Sequence, residues 1–395
     1  MRILCLTARL PYPPNRGDRL RAYNFIKSLA RQHEIHLLSF IADESEYTSL
    51  DALKTVCTDV QVVHKSTRQS VLSVASNIWR DLPLQAIYYR SDEMQRLVDQ
   101  KLSSISFDAA YIHLFRMAQF LANHPELYRI VDLTDVISRE VKRSLPYRGL
   151  ASRLLYTIER PRIQRYEQRV AQSFDETWLI SNADHQELAV ICPEANIQVV
   201  TNGVDFEHFY PNGQAETPDS IIFSGHMGVA HNVDAAVQLA QNILPLIRQQ
   251  VSECTLQIVG AEPNAEVLRL AAIPGVSVAG FVPDLNSALN NAAVFAAPLR
   301  FAAGIQNKVL EAMATARAVV TTSVVNEGLG AEPGHELLIA DNPKEIADHI
   351  IRLLQNPTQR SQIGQAAQAF VRQRYSWNIV LERIQTIAHQ LPQGK

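Results

Sequence analysis

Cysteine is scarce in this chain of 395 residues, and its four copies, Cys5, Cys57, Cys192 and Cys254, lie far apart with no Cys-x-x-Cys pair. That spacing excludes a disulfide framework and a thiolate metal site, and reads as small buried hydrophobes in a reducing compartment. A basic excess is also missing: 37 Lys and Arg stand against 40 Asp and Glu, a net charge of −3. Obligatory nucleic-acid binders need surplus cations for phosphate, so no nucleic-acid partner is expected. No apolar run approaches the roughly 18 residues of a membrane span, and the apolar stretch within Met1–Leu10 is too short for a secretory signal. The expected location is therefore cytoplasmic. No Gly-x-Gly-x-x-Gly follows any expected strand, which argues against a redox dinucleotide enzyme. No Asp-x-Asp motif occurs either, and neither a metal nor a cofactor is expected.

What is present is ordinary for a soluble protein with large cores: 47% hydrophobic and 19% charged residues. The length exceeds one usual domain and favours two. The run "RILCLTA" (2–8) is nearly continuous in apolar residues, as in a strand buried on both faces of a parallel sheet. A Pro-rich loop, Gly17 and an apolar-periodic helix follow, and "EIHLLSF" (34–40) is the next strand. Further strands are expected at 60–64, 109–113, 129–133, 177–181 and 197–201, with helices between them. The segment 202–220, with two Asn-Gly pairs and two prolines, breaks the rhythm. The alternation then restarts, with strands at 220–225, 255–260, 276–282, 293–298, 318–323 and 337–340. The fold class is α/β, two Rossmann-like doubly wound domains. Their expected bounds are 1–203 and 220–374, with a linker at 204–219 and a terminal amphipathic segment at 375–395.

Between Arg139 and Arg169 nine Lys and Arg face three Glu, interleaved with Leu150, Leu154, Leu155 and Ile158, and divided by Pro146 and Pro161. This reads either as a solvated helical arm or as a surface for anionic lipid, which would make the protein peripheral on the inner face of the cytoplasmic membrane.

In an open parallel sheet, ligands bind beyond the carboxyl ends of the strands, so the residues after each strand are the candidates. The richest stretch is "FAAPLRFAAGIQNKVLEAMATARAVVTTS" (295–323). After a strand and a loop with Arg300, Gly304 is expected to open a helix over 304–316. Val309, Ala312, Met313 and Ala316 at i, i+3, i+4 and i+7 face its core. Gly304, Asn307, Lys308 and Glu311 fall opposite. Either this is an ordinary solvated face, or Gly304 lets a diphosphate approach the free N–H groups while Lys308 adds charge and Glu311 accepts from a vicinal diol such as ribose.

The segments "GIQNKVLEAMATARAVVTT", "TNGVDFEHFYP", "IIFSGHMGVAHNVDAA" and "GFVPDLNSALNNAAVFAAPL" resemble the donor-binding half of family 4 (group 1) glycosyltransferases of GT-B fold. "LTARLPYPPNRGDRLRAYNFIKSLA" and "VDLTDVISRE" resemble the subgroup associated with bacterial exopolysaccharide (PEP-CTERM/EpsH-type) systems. The resemblance implies two domains facing across a cleft, the last helix crossing back to the first domain, and transfer with retention from a UDP- or GDP-type sugar to a glycan or lipid-linked acceptor, in the manner of a hexosyltransferase. It also implies the site: Lys308, His113 and Arg300 as catalytic candidates, and Gly17, Gly225, Asn232, Gly304, Ile305, Gln306, Asn307 and Glu311 around the nucleotide sugar. The family's first acidic residue of Glu-x7-Glu falls on Ala303, and its phosphate-gripping Arg is replaced by the turn Gly225-His226-Met227-Gly228.

Several residues stay open. Gly17 fits a plain turn as well as a donor phosphate contact, and His113 a structural role as well as a site role. Asp18 fits an N-cap, Arg19 or Arg21 a phosphate contact, Asp132 or Asp135 the cap of the basic helix, and Asp135 or Ser138 an acceptor contact. Glu327 reads as a loop acid or a nucleotide neighbour. A nucleotide-sugar epimerase and a catalytically silent partner in an assembly complex are the alternative functions.

Overall fold

The structure, a computed structural model, describes residues 1–77 and 79–389. The chain forms two compact units, Met1–Thr201 with the chain from Val380 on, and Asn202–Ile379. Residues 390–395 of the expected terminal segment lie outside the described residues.

The first unit is built on a parallel sheet of seven strands: β1 (Arg2–Thr7), β2 (Glu34–Ile41), β3 (Asp59–His64), β4 (Ala109–His113), β5 (Tyr128–Thr134), β6 (Glu176–Leu179) and β7 (Ile197–Val199). Their order is β3-β2-β1-β4-β5-β6-β7. The central strands are buried along almost their whole length, because helices cover both faces, and this is why they read as unbroken apolar runs. Cys5, for example, pairs with Leu37 on one side and Tyr111 on the other. Leu4, Leu6, Leu38, Phe40, Ile112 and Val131 centre the core.

The second unit repeats the plan with β8 (Thr217–Ser224), β9 (Thr255–Val259), β10 (Val276–Gly280), β11 (Ala292–Ala297), β12 (Ala318–Thr321) and β13 (Leu338–Ile339), in the order β10-β9-β8-β11-β12-β13. In both sheets the strand order reverses once, between β1 and β4 and between β8 and β11. The connections on either side of each reversal leave over opposite faces and open a crevice at the carboxyl edge. All four cysteines are free and buried, and burial pushes the Cys57 and Cys254 thiols up to about 12.

The segment read as a linker behaves differently. Asn286 Oδ1 accepts from Tyr210 N (3.0 Å), Asn290 Oδ1 accepts from Asn212 N (3.1 Å), and Asn290 Nδ2 donates to Tyr210 O (3.0 Å). Arg317 and Arg360 both hold Glu216. These side chains supply the partners that a Pro- and Gly-rich segment cannot find in its own backbone. Residues 202–216 are thus strapped onto the second unit.

One ion pair ties the first unit together. Arg21 on helix Gly17–Leu29 and Asp132 at the end of β5 are both fully buried. The guanidinium forks onto the carboxylate, Nε to Oδ2 at 2.7 Å and Nη2 to Oδ1 at 3.0 Å. Its remaining arm reaches Thr201 O at 3.2 Å, and Arg21 Cζ stands 4.3 Å over the Phe25 ring. Tyr111 Oη donates to the same carboxylate at 2.7 Å. Burial opposes the Asp132 charge, but Arg21 and His113 outweigh it and hold the carboxyl below its ordinary range. The Asp132 contribution is therefore present above the unfolded-state value of about 3.9 and is lost as the pH falls through the folded-state one. Replacing Arg21 by Met strands a buried carboxylate. It is expected to destabilise the first unit by about 3–5 kcal/mol, measured as a lower urea midpoint in the fluorescence of Trp178, which packs on Phe25 and Tyr111.

Candidate functional site

The crevice of the second unit is bounded by the loops after β8 and β11. After β8 the chain turns through Gly225-His226-Met227-Gly228 into helix Ala230–Val237. Gly225 donates to Val259 O at 3.0 Å, and its Cα lies so close to Asn232 that a Cβ would come within 2.9 Å of the amide. Asn232 is buried, and its Nδ2 donates to His226 O at 3.0 Å, which holds the turn. Its Oδ1 is also buried and has no partner among the described residues.

After β11 the loop 298–306 is largely sunk in the core, with Leu299, Phe301, Ala302, Ala303 and Ile305 all buried. Arg300 is the exception: its guanidinium forks onto Asp234, Nε to Oδ2 at 2.9 Å, and so clasps the loop to the helix that follows β8. Arg300, a catalytic candidate by resemblance, thus has its charge paired with Asp234. Gly304 takes a left-handed φ of 58°, and Gly328 packs on it so tightly that a Cβ there would lie 2.0 Å from Gly304 O.

The helix begins later than the pattern predicts, at Asn307 rather than Gly304, and spans Asn307–Ala314. Gln306 precedes it as a cap whose side chain accepts from no backbone N–H of the first turn. Its Nε2 donates to Ala303 O at 2.8 Å, and its Oε1 accepts from Lys308 Nζ at 2.7 Å. Asn307 accepts from Asn202 Nδ2 at 2.9 Å. Val309, Ala312 and Met313 are fully buried as the spacing requires, whereas Ala316 falls past the helix end with a φ of 56°.

Lys308 and Glu311 lie on the opposite face as read, but half-buried rather than solvated. Burial lowers the Lys308 ammonium to about 7 against the pull of Glu311, and raises the Glu311 carboxyl to about 7 against the pull of Lys308. Each charge is thus poorly compensated in the unliganded protein. A lysine in that state gains from an anion, and a carboxyl in that state gains from hydroxyl donors. Gly225, Asn232, Arg300, Gly304, Ile305, Gln306, Asn307, Lys308 and Glu311 all gather on the loops and helices at the β8/β11 edge.

The remaining two candidates belong to the first unit. His113 ends β4, buried, with Nδ1 3.4 Å from Tyr111 Oη and 3.5 Å from Asp132 Oδ2. Its Nε2 has no partner among the described residues. Gly17 is exposed at the first position of its helix. Around them several readings fall to ion pairs. Asp18 binds Arg9 at 2.6 Å and the cap position is Arg16; Arg19 is held by Glu46 and Arg21 by Asp132. Neither Asp132 nor Asp135 caps the basic helix Ile137–Ser144, whose cap is Val136, and Ser138 donates to Glu167 Oε2 at 2.5 Å. Glu327 is exposed on helix Ser323–Leu329, next to the Gly328 contact. Asp234 was missed by sequence reasoning, although it lies two residues beyond Asn232 on the same helix.

Residues 218–356 match the family model of group 1 glycosyl transferases. That stretch, about a third of the chain, is similar to group 1 glycosyl transferases. That match spans β8 to helix Pro343–Gln355 and contains every second-unit candidate. Over the whole chain, an uncharacterized 44.6 kDa protein in the cps region of Klebsiella pneumoniae is 21% identical across 97% of this chain and 98% of its own. Sucrose-phosphate synthase from Thermosynechococcus elongatus superposes with a TM-score of 0.74 at 12% identity, over 99% of each chain. Anabaena HepE in complex with UDP superposes with a TM-score of 0.68 at 15% identity, over 99% of this chain and 100% of its own. The fold is that of GT-B glycosyltransferases.

The second unit depends on close backbone contact at Gly328. Gly328→Ala must push the 303–306 loop away from its helix, and about 1–3 kcal/mol of destabilisation is expected from such overpacking, read as a lowered thermal midpoint.

Proposed function

We propose that the protein transfers a sugar from a nucleoside diphosphate donor of UDP or GDP type to a hydroxyl of a glycan or lipid-linked acceptor, with retention, in the assembly of a surface polysaccharide. The observation that carries this reading is the Lys308–Glu311 pair, half-buried on one helix face beside the Gly304 loop, each group short of a compensating charge. The domain match supports the reaction class, HepE in complex with UDP supports the donor, and the relative in a cps region supports the polysaccharide setting. An epimerase would need acids and bases around the sugar, and the loop presents Ala303 and a neutral Gln306 there.

In this mechanism the diphosphate lies over the first turn of Asn307–Ala314, whose cap leaves backbone N–H groups without a side-chain acceptor. Lys308 neutralises charge as it builds on the departing diphosphate, and Gln306 holds the Lys308 ammonium in place until then. Glu311 accepts from the ribose hydroxyls. Asn232 and Gly225 border the same crevice and leave room for the phosphates. Arg300, through Asp234, keeps the two loops in register rather than meeting the phosphate alone. Catalysis comes from the difference between ground and transition state, so the two helix residues part company. Lys308→Ala is expected to lower kcat by roughly 10²–10³-fold, as for loss of one oxyanion stabiliser. Glu311→Ala is expected to act mainly on KM and nucleotide affinity, by about 1.5–3 kcal/mol. Steady-state kinetics with UDP- and GDP-sugars separate these effects. Wild-type kinetics and nucleotide affinity in both variants would move the site elsewhere.

The same pair sets a pH dependence. Only the protonated lysine attracts phosphate, and its free-protein value is about 7. UDP affinity is therefore expected to fall as the pH rises above that value. Glu311→Gln removes the charge that holds Lys308 up, so its fall begins at lower pH, and Lys308→Met shows none of this fall. Calorimetric UDP titrations between about pH 6 and 9 test the order.

The basic arm folds as Ile137–Ser144 and one long helix, Leu150–Ser173, that runs through Pro161. Its second half buries Ile163, Tyr166 and Val170, while Leu150, Leu154, Leu155 and Ile158 stand exposed on its first half. Arg153 and Arg160 flank this face with no carboxylate partner among the described residues. We propose that it rests on an anionic leaflet, consistent with a cytoplasmic, peripheral protein. Among the described residues no helix is long and apolar enough to cross a membrane. Each basic residue near such a surface contributes about 1 kcal/mol. Flotation is expected with anionic vesicles at low salt and not with neutral ones; equal behaviour on both removes the idea.

A further inference from the structure

Residues 201–204 carry the chain from the first unit into the second, and each of them is held. Thr201 O accepts from Arg21 Nη1 at 3.2 Å, so it is fixed by the same guanidinium that grips Asp132. Gly203 lies so close to Trp377 that a Cβ would come within 2.5 Å of the ring, which leaves room for no side chain. Val204 N donates to Tyr375 O at 2.7 Å, and Val204 bridges in parallel to Ser376. Asn202 stands between these anchors, only 4% exposed. A buried amide costs free energy unless its polar atoms are paired. Its Nδ2 donates to Asn307 Oδ1 at 2.9 Å.

Asn307 opens the helix Asn307–Ala314 and is followed by Lys308. A side-chain amide has two unlike ends: the oxygen repels an anion and the NH2 group attracts one, so its value at a phosphate depends on which end faces the ligand. The helix start works against the useful orientation, because its unpaired N–H groups and the Lys308 ammonium attract the amide oxygen. Asn202 removes that competition. It engages Oδ1 on one side and leaves Nδ2 turned away from it. Asn307 is half-buried, and among the described residues its Nδ2 donates to no protein group.

We propose that Asn202 is a positioning residue of the donor site. It fixes the Asn307 amide with Nδ2 outward, so that Asn307 donates to the diphosphate beside the free N–H groups of the first turn. The inference rests on the glycosyl-transfer reading and adds to it the residue that orients a phosphate ligand. Asn202 itself touches no substrate. Its effect passes through Asn307, and its precision comes from the anchors at Thr201, Gly203 and Val204.

The test is a double-mutant cycle on the full-length protein. UDP and GDP are titrated by calorimetry, and uridine and guanosine, which lack the phosphates, by ligand-observed NMR. Asn307→Ala is expected to weaken nucleoside diphosphate binding by roughly tenfold, as for one hydrogen bond to a charged group. Asn202→Leu, close to Asn in size, is expected to weaken it several-fold by freeing the Asn307 amide, and to add nothing to Asn307→Ala in the double variant. Nucleoside affinity is expected to stay at the wild-type level in all three proteins. Asn202→Ser, too short to reach Asn307, takes the place of Asn202→Leu if that protein does not fold. Unchanged nucleoside diphosphate affinity in the folded Asn202 variant overturns the inference. So does an effect that adds fully to Asn307→Ala, or one that weakens the nucleosides equally, since either makes the role of Asn202 structural alone. Binding of neither UDP nor GDP to the wild-type protein overturns the donor reading itself, and the inference falls with it.

Discussion

A parallel sheet whose strand order reverses has one edge position at which two neighbouring connections part to opposite faces. That constraint governs this molecule twice. In the second unit it sets the Gly225 turn and the 298–306 loop side by side, and in the first it does the same for the Arg9 loop and the residues after His113. Almost every side chain with unmet charge or an orphaned polar atom at these edges, Lys308, Glu311, Asn232, His113 and Arg116, hangs from one of the two reversals. The connectivity of the sheets puts this chemistry where it is.

The devices that hold the two crevices open are of opposite kinds. In the first unit a fully buried ion pair, Arg21 with Asp132, is completed by Tyr111 and a backbone carbonyl, so no charge is left over. In the second unit Arg300 and Asp234 do the clasping nearer the surface, and tight backbone contact at Gly304 and Gly328 does the rest. Lys308 and Glu311 are then left as a pair with too little solvent and too little counter-charge. A structural ion pair is satisfied in isolation. A binding pair is satisfied only with its ligand present.

Much of this was legible in the sequence, and for a physical reason. Strands buried on both faces leave continuous apolar runs, so β1, β2, β4 and β11 stand out, and a helix with one core face declares its other face, so Lys308 and Glu311 could be read as lying opposite Val309 and Met313. Pairings between distant residues were not legible. Arg19 and Arg21 look like phosphate ligands until Glu46 and Asp132 are seen beside them, and Arg300 looks free until Asp234 is. Periodicity reports a helix's own faces and cannot report which loop covers them, which is why a solvated face stayed open for Lys308 and Glu311, which the structure half-buries. The stretch 204–219 looked like a linker because its composition cannot make its own secondary structure; the asparagines that strap it down lie about 75 residues later.

The division of the chain carries a consequence for how the protein is made. The second unit, Asn202–Ile379, is one uninterrupted stretch, whereas the first takes its last helical turns from residues beyond Val380. During synthesis the N-terminal unit ordinarily folds first. Here that order is reversed at the final step. The second unit can close as soon as its own residues have left the ribosome, while the unit that began earlier must wait, with the sites for Val380 and Ile384 still uncovered, until those residues have emerged as well.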